Sequence, residues 1–496
     1  MSRKTLAKNA GAMIGSQIIT WSFAFLYAIF IPRYLGPEVV GQMSLAFAIW
    51  TILGVLLNFG MDTYLIKTIA REPERTGELV GTSILVRCLL FIPGCVLVAL
   101  YVYLLRYPIE VAYLCIIIGI STLFGLVGNV PAAALTGLER MSSVSLINII
   151  DRFIVTGLSL LLLFLGFNVY WLAAVNIVSS LIRLIIQIRY LSHTHPIRVS
   201  FHFKEIYAMV GQSSPYLITG ITIMVYQQID KLFISTQATI EAVGWYSTAM
   251  NLFGTLMFLP VAFGTVLFPI MSRSYAAGND QLAVVARRSF DLMFMLSVPI
   301  GFGVIIVADP MMLLLYGPAF APSGQILAIL GLVLLFTYMN TMLGQLLISA
   351  ERTKPWNVVL ISATLLTAPL DLFLVPWTHR VYGNGALGGA IAFTVTELIM
   401  ISSAILLLPK GTLRWSNLRT VVLSLLSGLI MVGVSWWWRD SYLILSILLG
   451  AITYPALVLL LRIIPQEDLL LLKEGFTKIL GRFQRDKQAT AGLGGD

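Results

Sequence analysis

Nine ionisable side chains stand inside stretches that are otherwise apolar: Arg87, Asp151, Arg152, Arg183, Asp230, Lys231, Asp291, Asp371 and Glu397. A charge in the middle of a lipid-spanning helix costs about 2.5–3.5 kcal/mol on insertion scales, so such groups face a partner or a water-filled cavity. Asp291 follows Arg287 and Arg288 by one helical turn and is expected to pair with them. Arg183 is close enough to a helix end to snorkel. Asp151 and Arg152 are adjacent and point to different faces, which leaves Arg87 two readings: an ion pair with Asp151 or a place on a cavity wall. Glu397 has no cation near it in sequence and is the candidate for an ion- or proton-coupling carboxylate. The segment Gln227-Gln228-Ile229-Asp230-Lys231 carries four polar side chains in five residues. They cannot all face lipid, so the segment is expected to line a water-accessible path, with Arg33 at the related place nearer the N-terminus.

Other chemistry finds no support in the chain. There is no G-x-x-x-x-G-K-[ST] phosphate loop, so direct use of ATP is not expected. His193, His195 and His202 lie in a polar connection without cysteines or acids around them and read as incidental, not as a metal site. Cys88, Cys95 and Cys115 are odd in number and sit in apolar runs, where cysteine behaves as a small hydrophobe. No cofactor is expected.

The elements that must carry these residues are membrane helices. The chain is 58% hydrophobic and only 11% charged, against roughly 25% charged in a soluble domain. Apolar runs of spanning length, about 20 residues, fall at roughly 11–34, 39–66, 79–105, 110–136, 144–167, 169–188, 206–234, 242–271, 286–308, 325–350, 355–376, 384–409, 418–437 and 441–463. That gives about 14 transmembrane helices, an all-α polytopic protein. The runs are continuous and do not alternate, and a helix satisfies its own backbone in lipid. Short breaks rich in Gly, Pro and Asn separate them, the shortest at Gly166-Phe167-Asn168.

Of the 32 Lys and Arg residues, 24 fall in the even-numbered connections and the two tails, and five in the odd-numbered ones. This bias places both termini in the cytoplasm of a multi-pass protein of the cell membrane. It also accounts for the net charge of +9, which in a soluble protein would raise nucleic acid as a partner. The stretch 465–487 mixes Leu, Ile and Phe with Lys and Arg, and reads either as a basic amphipathic helix on the membrane surface or as an unstructured tail.

The chain repeats itself at a spacing of about 203–212 residues. Val40-Gly41-Gln42-Met43-Ser44-Leu45-Ala46 matches Val243-Gly244-Trp245-Tyr246-Ser247-Thr248-Ala249; Phe59-Gly60 matches Phe263-Gly264; Phe124 with Glu139-Arg140 matches Phe336 with Glu351-Arg352. Six spans separate the copies, so the repeats are parallel, an arrangement common in transporters with the substrate path between the halves. The expected organisation is a six-helix bundle over 1–188, a linker over 189–205, a second six-helix bundle over 206–409, two added helices over 410–464 and a tail over 465–496.

At this level the chain resembles the polysaccharide transporter (Wzx-type) family of the MOP flippase superfamily. The resemblance rests on Pro32-Arg33-Tyr34-Leu35-Gly36-Pro37 followed by Gly41, Ile69-Ala70-Arg71, Gly137-Leu138-Glu139-Arg140, Ile229-Asp230-Lys231, and Val243 to Ala249 leading to Leu267-Phe268-Pro269. It implies a V-shaped pair of bundles around a cavity lined by spans 1, 2, 7 and 8. It also implies a polyprenyl-pyrophosphate-linked oligosaccharide as substrate, turned over between leaflets by alternating access. On those spans Gln17, Asn58, Gln227, Asp230, Lys231 and Asn251 are the polar candidates to line the cavity, joined by Arg33; a central cationic site would recruit Arg87 or Arg152. The membrane potential, H+ or Na+ would supply the energy, membrane lipids and a polysaccharide polymerase would be partners, and the chain would act as a monomer. A multidrug/cation antiporter or a peptidoglycan-precursor flippase of the same superfamily is the alternative. Outside that class, a membrane glycosyltransferase or polymerase would need a larger outer loop than 35–38 or 377–383 provides.

Overall fold

The computed structural model describes residues 3–197, 203–409 and 411–463. The predicted tail helix and part of the 189–205 linker lie outside them, as does the Gln17 side chain. Among the described residues the chain is helical and contains no strand. The first half holds α1 (Arg3–Leu35), α2 (Pro37–Asn58), α3 (Met61–Arg71), α4 (Thr76–Leu104), α5 (Ile109–Gly137), α6 (Met141–Phe164) and α7 (Val169–Ser192). The second holds α8 (Phe203–Gln237), α9 (Ile240–Leu256), α10 (Phe258–Ala277), α11 (Asn279–Tyr316), α12 (Ala321–Ser349), α13 (Thr353–Tyr382) and α14 (Ala386–Leu407). Two more, α15 (Trp415–Trp436) and α16 (Leu443–Leu460), pack on each other and on α11.

Counting α2 with α3 and α9 with α10, twelve of these rods are long and apolar enough to cross a membrane. The other two are α1, whose fully described apolar part is Ile19–Leu35, and α8, diluted by Gln212, Ser213, Ser214 and the Gln227–Lys231 segment. These fourteen rods coincide with the fourteen apolar runs. Their ends fall where the sequence breaks: Gly166, Gly317 and Gly383 all adopt positive φ in the turns after α6, α11 and α13. The ends bearing most of the Lys and Arg are termed the basic end below.

The internal repeat is visible in the packing. In the first half α1 packs on α6, α2 and α4 on α5, and α5 and α6 on α7; in the second, α8 packs on α13, α9 and α11 on α12, and α12 and α13 on α14. The matched Glu-Arg turns repeat in detail. Glu139 and Glu351 take φ of 60° and 59°, and the next amides, Arg140 and Arg352, each donate to a carbonyl five residues back over 2.8 Å. Arg140 then lies over the Tyr190 ring of α7, while Arg352 donates to the Leu407 carbonyl at the end of α14. A guanidinium thus satisfies a helix end that would otherwise be orphaned.

One matched pair is not equivalent in structure. The α2–α3 break falls at Phe59-Gly60, both left-handed, but the α9–α10 break falls at Met257, ahead of Phe263-Gly264. Pro260 accounts for this. It has no N–H for the Leu256 carbonyl, which takes the Tyr338 hydroxyl instead over 2.5 Å.

The halves meet most closely at the end opposite the basic one, where α2 crosses α9. A Cβ on Gly41 would lie 1.9 Å from the Ile240 carbonyl oxygen, and one on Gly244 would lie 1.8 Å from that of Pro37. The two contacts are images of one another under the repeat. Toward the basic end, α8 also packs on α3: a Cβ on Gly60 would meet the Ser213 carbonyl oxygen at 2.7 Å, and Met209 joins Met61 and Val86 in a small apolar cluster. The expected V is therefore closed along its α2–α3–α8 flank. Replacing Gly244 by Ala is expected to disfavour the closed arrangement by about 1–3 kcal/mol, the usual range for overpacking, or about 5- to 150-fold in population. Spin labels at the exposed Glu38 and Glu241 positions would report a longer distance in that variant than in the parent.

Candidate functional site

Where α1, α2, α6, α7, α8 and α9 converge, a cavity of about 340 Å³ separates the halves. Arg152 of α6 and Lys231 of α8 bring one cation from each half to its wall. Asn176, Gln228, Ser247 and Asn251 add neutral polar groups, and Tyr27, Ser44 and Thr51 complete the polar lining. Lys231 donates to Gln228 Oε1 over 2.8 Å, a pairing that three-residue spacing on one helix face allows. The same periodicity turns the other members of the segment away: Gln227 is exposed and outside the lining, and Asp230 is buried within the second half.

A second cavity of about 270 Å³ shares Phe47 and Thr51 with the first and runs along α2 and α5 past Thr122 and Asn129 to Asn58. Behind it lies Arg87, with no exposed surface. Arg87 donates from Nη2 to Asp62 Oδ1 at 2.6 Å and to Asn58 Oδ1 at 2.7 Å, and from Nη1 to the Leu126 carbonyl at 2.5 Å. The Asn58 amide donates in turn to Asp62 Oδ2. Asn58 ends α2 and Asp62 begins α3, so this cluster clamps the Phe59-Gly60 break. Arg87 therefore belongs to the scaffold and not to the wall, and its partner is Asp62, not Asp151. Asp151 accepts instead from Ser179 Oγ over 2.6 Å. Arg183 does not snorkel: it turns inward to the Gly125 carbonyl and Asn129 Oδ1. Asp291 reaches beyond its own helix, accepting from Asn417 Nδ2 of α15 over 2.8 Å.

Arg33 is also structural. Its Nη1 donates to the Leu314 and Leu315 carbonyls in the last turn of α11, over 3.0 and 3.2 Å. It joins the halves at the end opposite the basic one and lies outside the cavity.

Three acids occupy the interior of the second half. Glu397 of α14 is fully engaged, accepting from Tyr226 over 2.9 Å and from Asn340 Nδ2 over 2.8 Å. Asp230 accepts from the Tyr246 hydroxyl and faces Asp371 of α13. Among the described residues nothing but the facing carboxyl reaches Asp230 Oδ1 or either Asp371 oxygen, and both residues are buried. Two carboxyls that face each other in apolar surroundings need a shared proton or a cation between them. This pair, and not Glu397, is the acidic site with unmet capacity.

Of the residues picked out by sequence, the structure gathers Arg152, Lys231 and Asn251 on the central cavity and Asn58 on its extension. It sets Arg33, Arg87, Gln227, Asp230 and Glu397 elsewhere. Gln228, expected on a water-accessible path with its segment, lies on the wall as well; sequence reasoning missed Tyr27, Ser44, Thr51, Asn176 and Ser247 as wall residues. Of these only Ser44 and Ser247 carried a usable signal, as matched positions of the repeat.

The fourteen rods and the two repeated halves around a cavity define a multi-pass membrane protein with the MOP-type fold. Solved structures carry the same architecture. One titled lipid II flippase MurJ in an inward closed conformation superposes with a TM-score of 0.74 over 92% of this chain and 99% of that one, at 14% identity. An inward-facing multidrug resistance MATE family transporter of the MOP superfamily superposes at 0.63, over 78% and 93%, also at 14% identity. The sequence profile of the polysaccharide biosynthesis protein family matches residues 6–275, and that of the MatE family residues 215–373. The chain belongs to the polysaccharide biosynthesis protein family. Among its relatives, the succinoglycan biosynthesis transport protein ExoT of Rhizobium meliloti is 24% identical over 67% of each chain. The probable low-salt glycan biosynthesis flippase Agl15 of Haloferax volcanii is 22% identical over 79% of this chain and 82% of that one.

The two arginines should separate in a stability assay. Removing one partner of a fully buried ion pair costs about 3–5 kcal/mol; the Asp62 side chain is 30% exposed, so Arg87→Ala should cost less than this yet still lower the melting temperature in detergent. Arg152→Ala, at the cavity wall, should leave that temperature unchanged.

Proposed function

We propose that the protein moves a polyprenyl-pyrophosphate-linked oligosaccharide from the cytoplasmic to the outer leaflet of the cell membrane, with the basic end and both termini in the cytoplasm. The single observation that carries this reading is the central cavity, in which Arg152 and Lys231 approach from opposite halves among neutral hydrogen-bonding side chains. A pyrophosphate diester carries about two negative charges, which match two cations, and a glycan is recognised by amides and hydroxyls such as Asn176, Gln228 and Asn251. The names of the relatives in glycan export support the same substrate class. Because the cations lie on different halves, an anion held between them draws the halves together. The α1–α9 flank is less extensively packed than the α2–α8 flank and gives the lipid tail a route to remain in the bilayer while the head group crosses.

Energy enters in two ways under this proposal. Outward movement of the diester across an inside-negative membrane gains about 2.3 kcal/mol per charge per 100 mV when no counter-ion accompanies it. The Asp230–Asp371 pair takes up one positive charge, a proton or a monovalent cation, and couples its exchange to the conformation of the second half. Asp230 is one residue from Lys231 on α8, so a change at the acids shifts the cavity cation.

The test is flipping of a short-chain lipid-linked oligosaccharide in vesicles of purified protein. Lys231→Ala and Arg152→Ala should each slow it about tenfold or more, since a charge-assisted hydrogen bond is worth about 1.5–3 kcal/mol. Full activity in both variants would remove the cavity from the reading. Asp371→Asn should make the rate indifferent to imposed pH and sodium gradients while leaving its response to membrane potential; a parent protein already indifferent to both gradients would rule out coupling through these acids.

A further inference from the structure

A cavity larger than the central one lies elsewhere in the molecule. A trough of about 650 Å³ lies on the outer flank of the first half, between α4 and α5 with α2 as its floor, within the roughly 300–1,000 Å³ that ligand sites occupy. Small residues hollow it out: Cys95 and Ala99 on α4, Ala112, Cys115 and Gly119 on α5. The floor is the Trp50 indole, fixed by a 2.7 Å bond from Nε1 to the Cys115 carbonyl and by stacking on Phe91. Trp50 also lines the extension of the central cavity, so it separates the two spaces. The walls are otherwise apolar, with one exception at the end opposite the basic one, where Arg106 and Tyr107 lie in the α4–α5 turn.

Arg106 is exposed and among the described residues forms no ion pair, although Glu110 follows by four residues. Its backbone is left-handed, with φ +53° at the residue that closes the end of α4, as at Glu139 after α5 and Glu351 after α12. The same closing turn after α6 uses Gly166, the residue such a position ordinarily takes. Tyr107 is held by its hydroxyl against Ser235 Oγ at 2.7 Å, and Tyr103 stands 79% exposed beside it, as aromatic side chains do at the head-group level of a membrane. From Ile109 to Ile120 the trough runs eleven residues along α5, about 16 Å at 1.5 Å per residue. That is half of the roughly 30 Å hydrocarbon core, the depth of one leaflet.

We infer that this trough is a binding site for an anionic phospholipid of the leaflet opposite the basic end, with one acyl chain between α4 and α5 and the phosphate on Arg106. The charge at the mouth, the apolar length of one leaflet and the opening on the flank away from the central cavity select a resident lipid of that leaflet over the transported species.

Native mass spectrometry of the full chain with phosphatidylglycerol tests it, using two variants. Arg106→Gly suits the positive φ and removes only the charge; Ala99→Trp fills the trough. Both should retain phosphatidylglycerol less well than the parent, by about fivefold for Arg106→Gly, the effect of one basic residue at a membrane surface. On the parent protein, phosphatidylglycerol with a photoactivatable acyl chain should label residues between 91 and 120. Equal retention in all three proteins, a loss with only one variant, or labelling confined to other helices would overturn the site. So would a polyprenyl phosphate that competes for it more strongly than phosphatidylglycerol.

Discussion

Two glycines 203 positions apart in the chain hold the halves of this protein at contact distance. Gly41 and Gly244 let the backbones of α2 and α9 meet with each glycine against the other helix's first-turn carbonyl. No side chain larger than hydrogen fits at either place, and close backbone approach between helices in lipid is gained through small residues because apolar burial gives no net drive there. The angle at which α2 and α9 diverge fixes how far α1 and α8 stand apart, and so the room left for Arg152 and Lys231 between them.

The remaining charges divide by whether their needs are met at home. Arg87 holds Asn58 and Asp62 on either side of two left-handed residues and ties them to the Leu126 carbonyl of α5. Arg33 and Arg352 satisfy helix ends. Lys231 has one neutral partner from its own helix and remains available. The asymmetry between the halves follows from this: the first uses an ion pair to stabilise a kink, while the second uses Pro260 and the Tyr338 hydroxyl for its kink and keeps its interior acids for Tyr226, Asn340, Tyr246 and one another.

The acids illustrate why position in the sequence misleads. Glu397 looks isolated along the chain, yet helices α8 and α12 supply it with donors. Asp371 draws no attention in the sequence beyond its charge, yet it faces Asp230 without a donor. The two carboxyls sit 141 positions apart, and only the packing of α13 against α8 brings them together.

The sequence by itself determined the number of rods, their ends, the charge bias between them and the repeat that relates the halves. It could do so because lipid imposes a fixed length on each span and obliges each helix to satisfy its own backbone, both of which are local constraints. Tertiary structure decided which polar side chains share a wall. Along the chain Arg87 stays open between an ion pair with Asp151 and a place on a cavity wall, and nothing local points to Asp62 just past the α2–α3 kink; three-dimensional packing gives Arg87 to Asp62 and Asp151 to Ser179. A side chain's direction depends on the rotation of its helix about its own axis, and that rotation is set by contacts with helices far away in the chain, such as the crossing of Gly41 and Gly244.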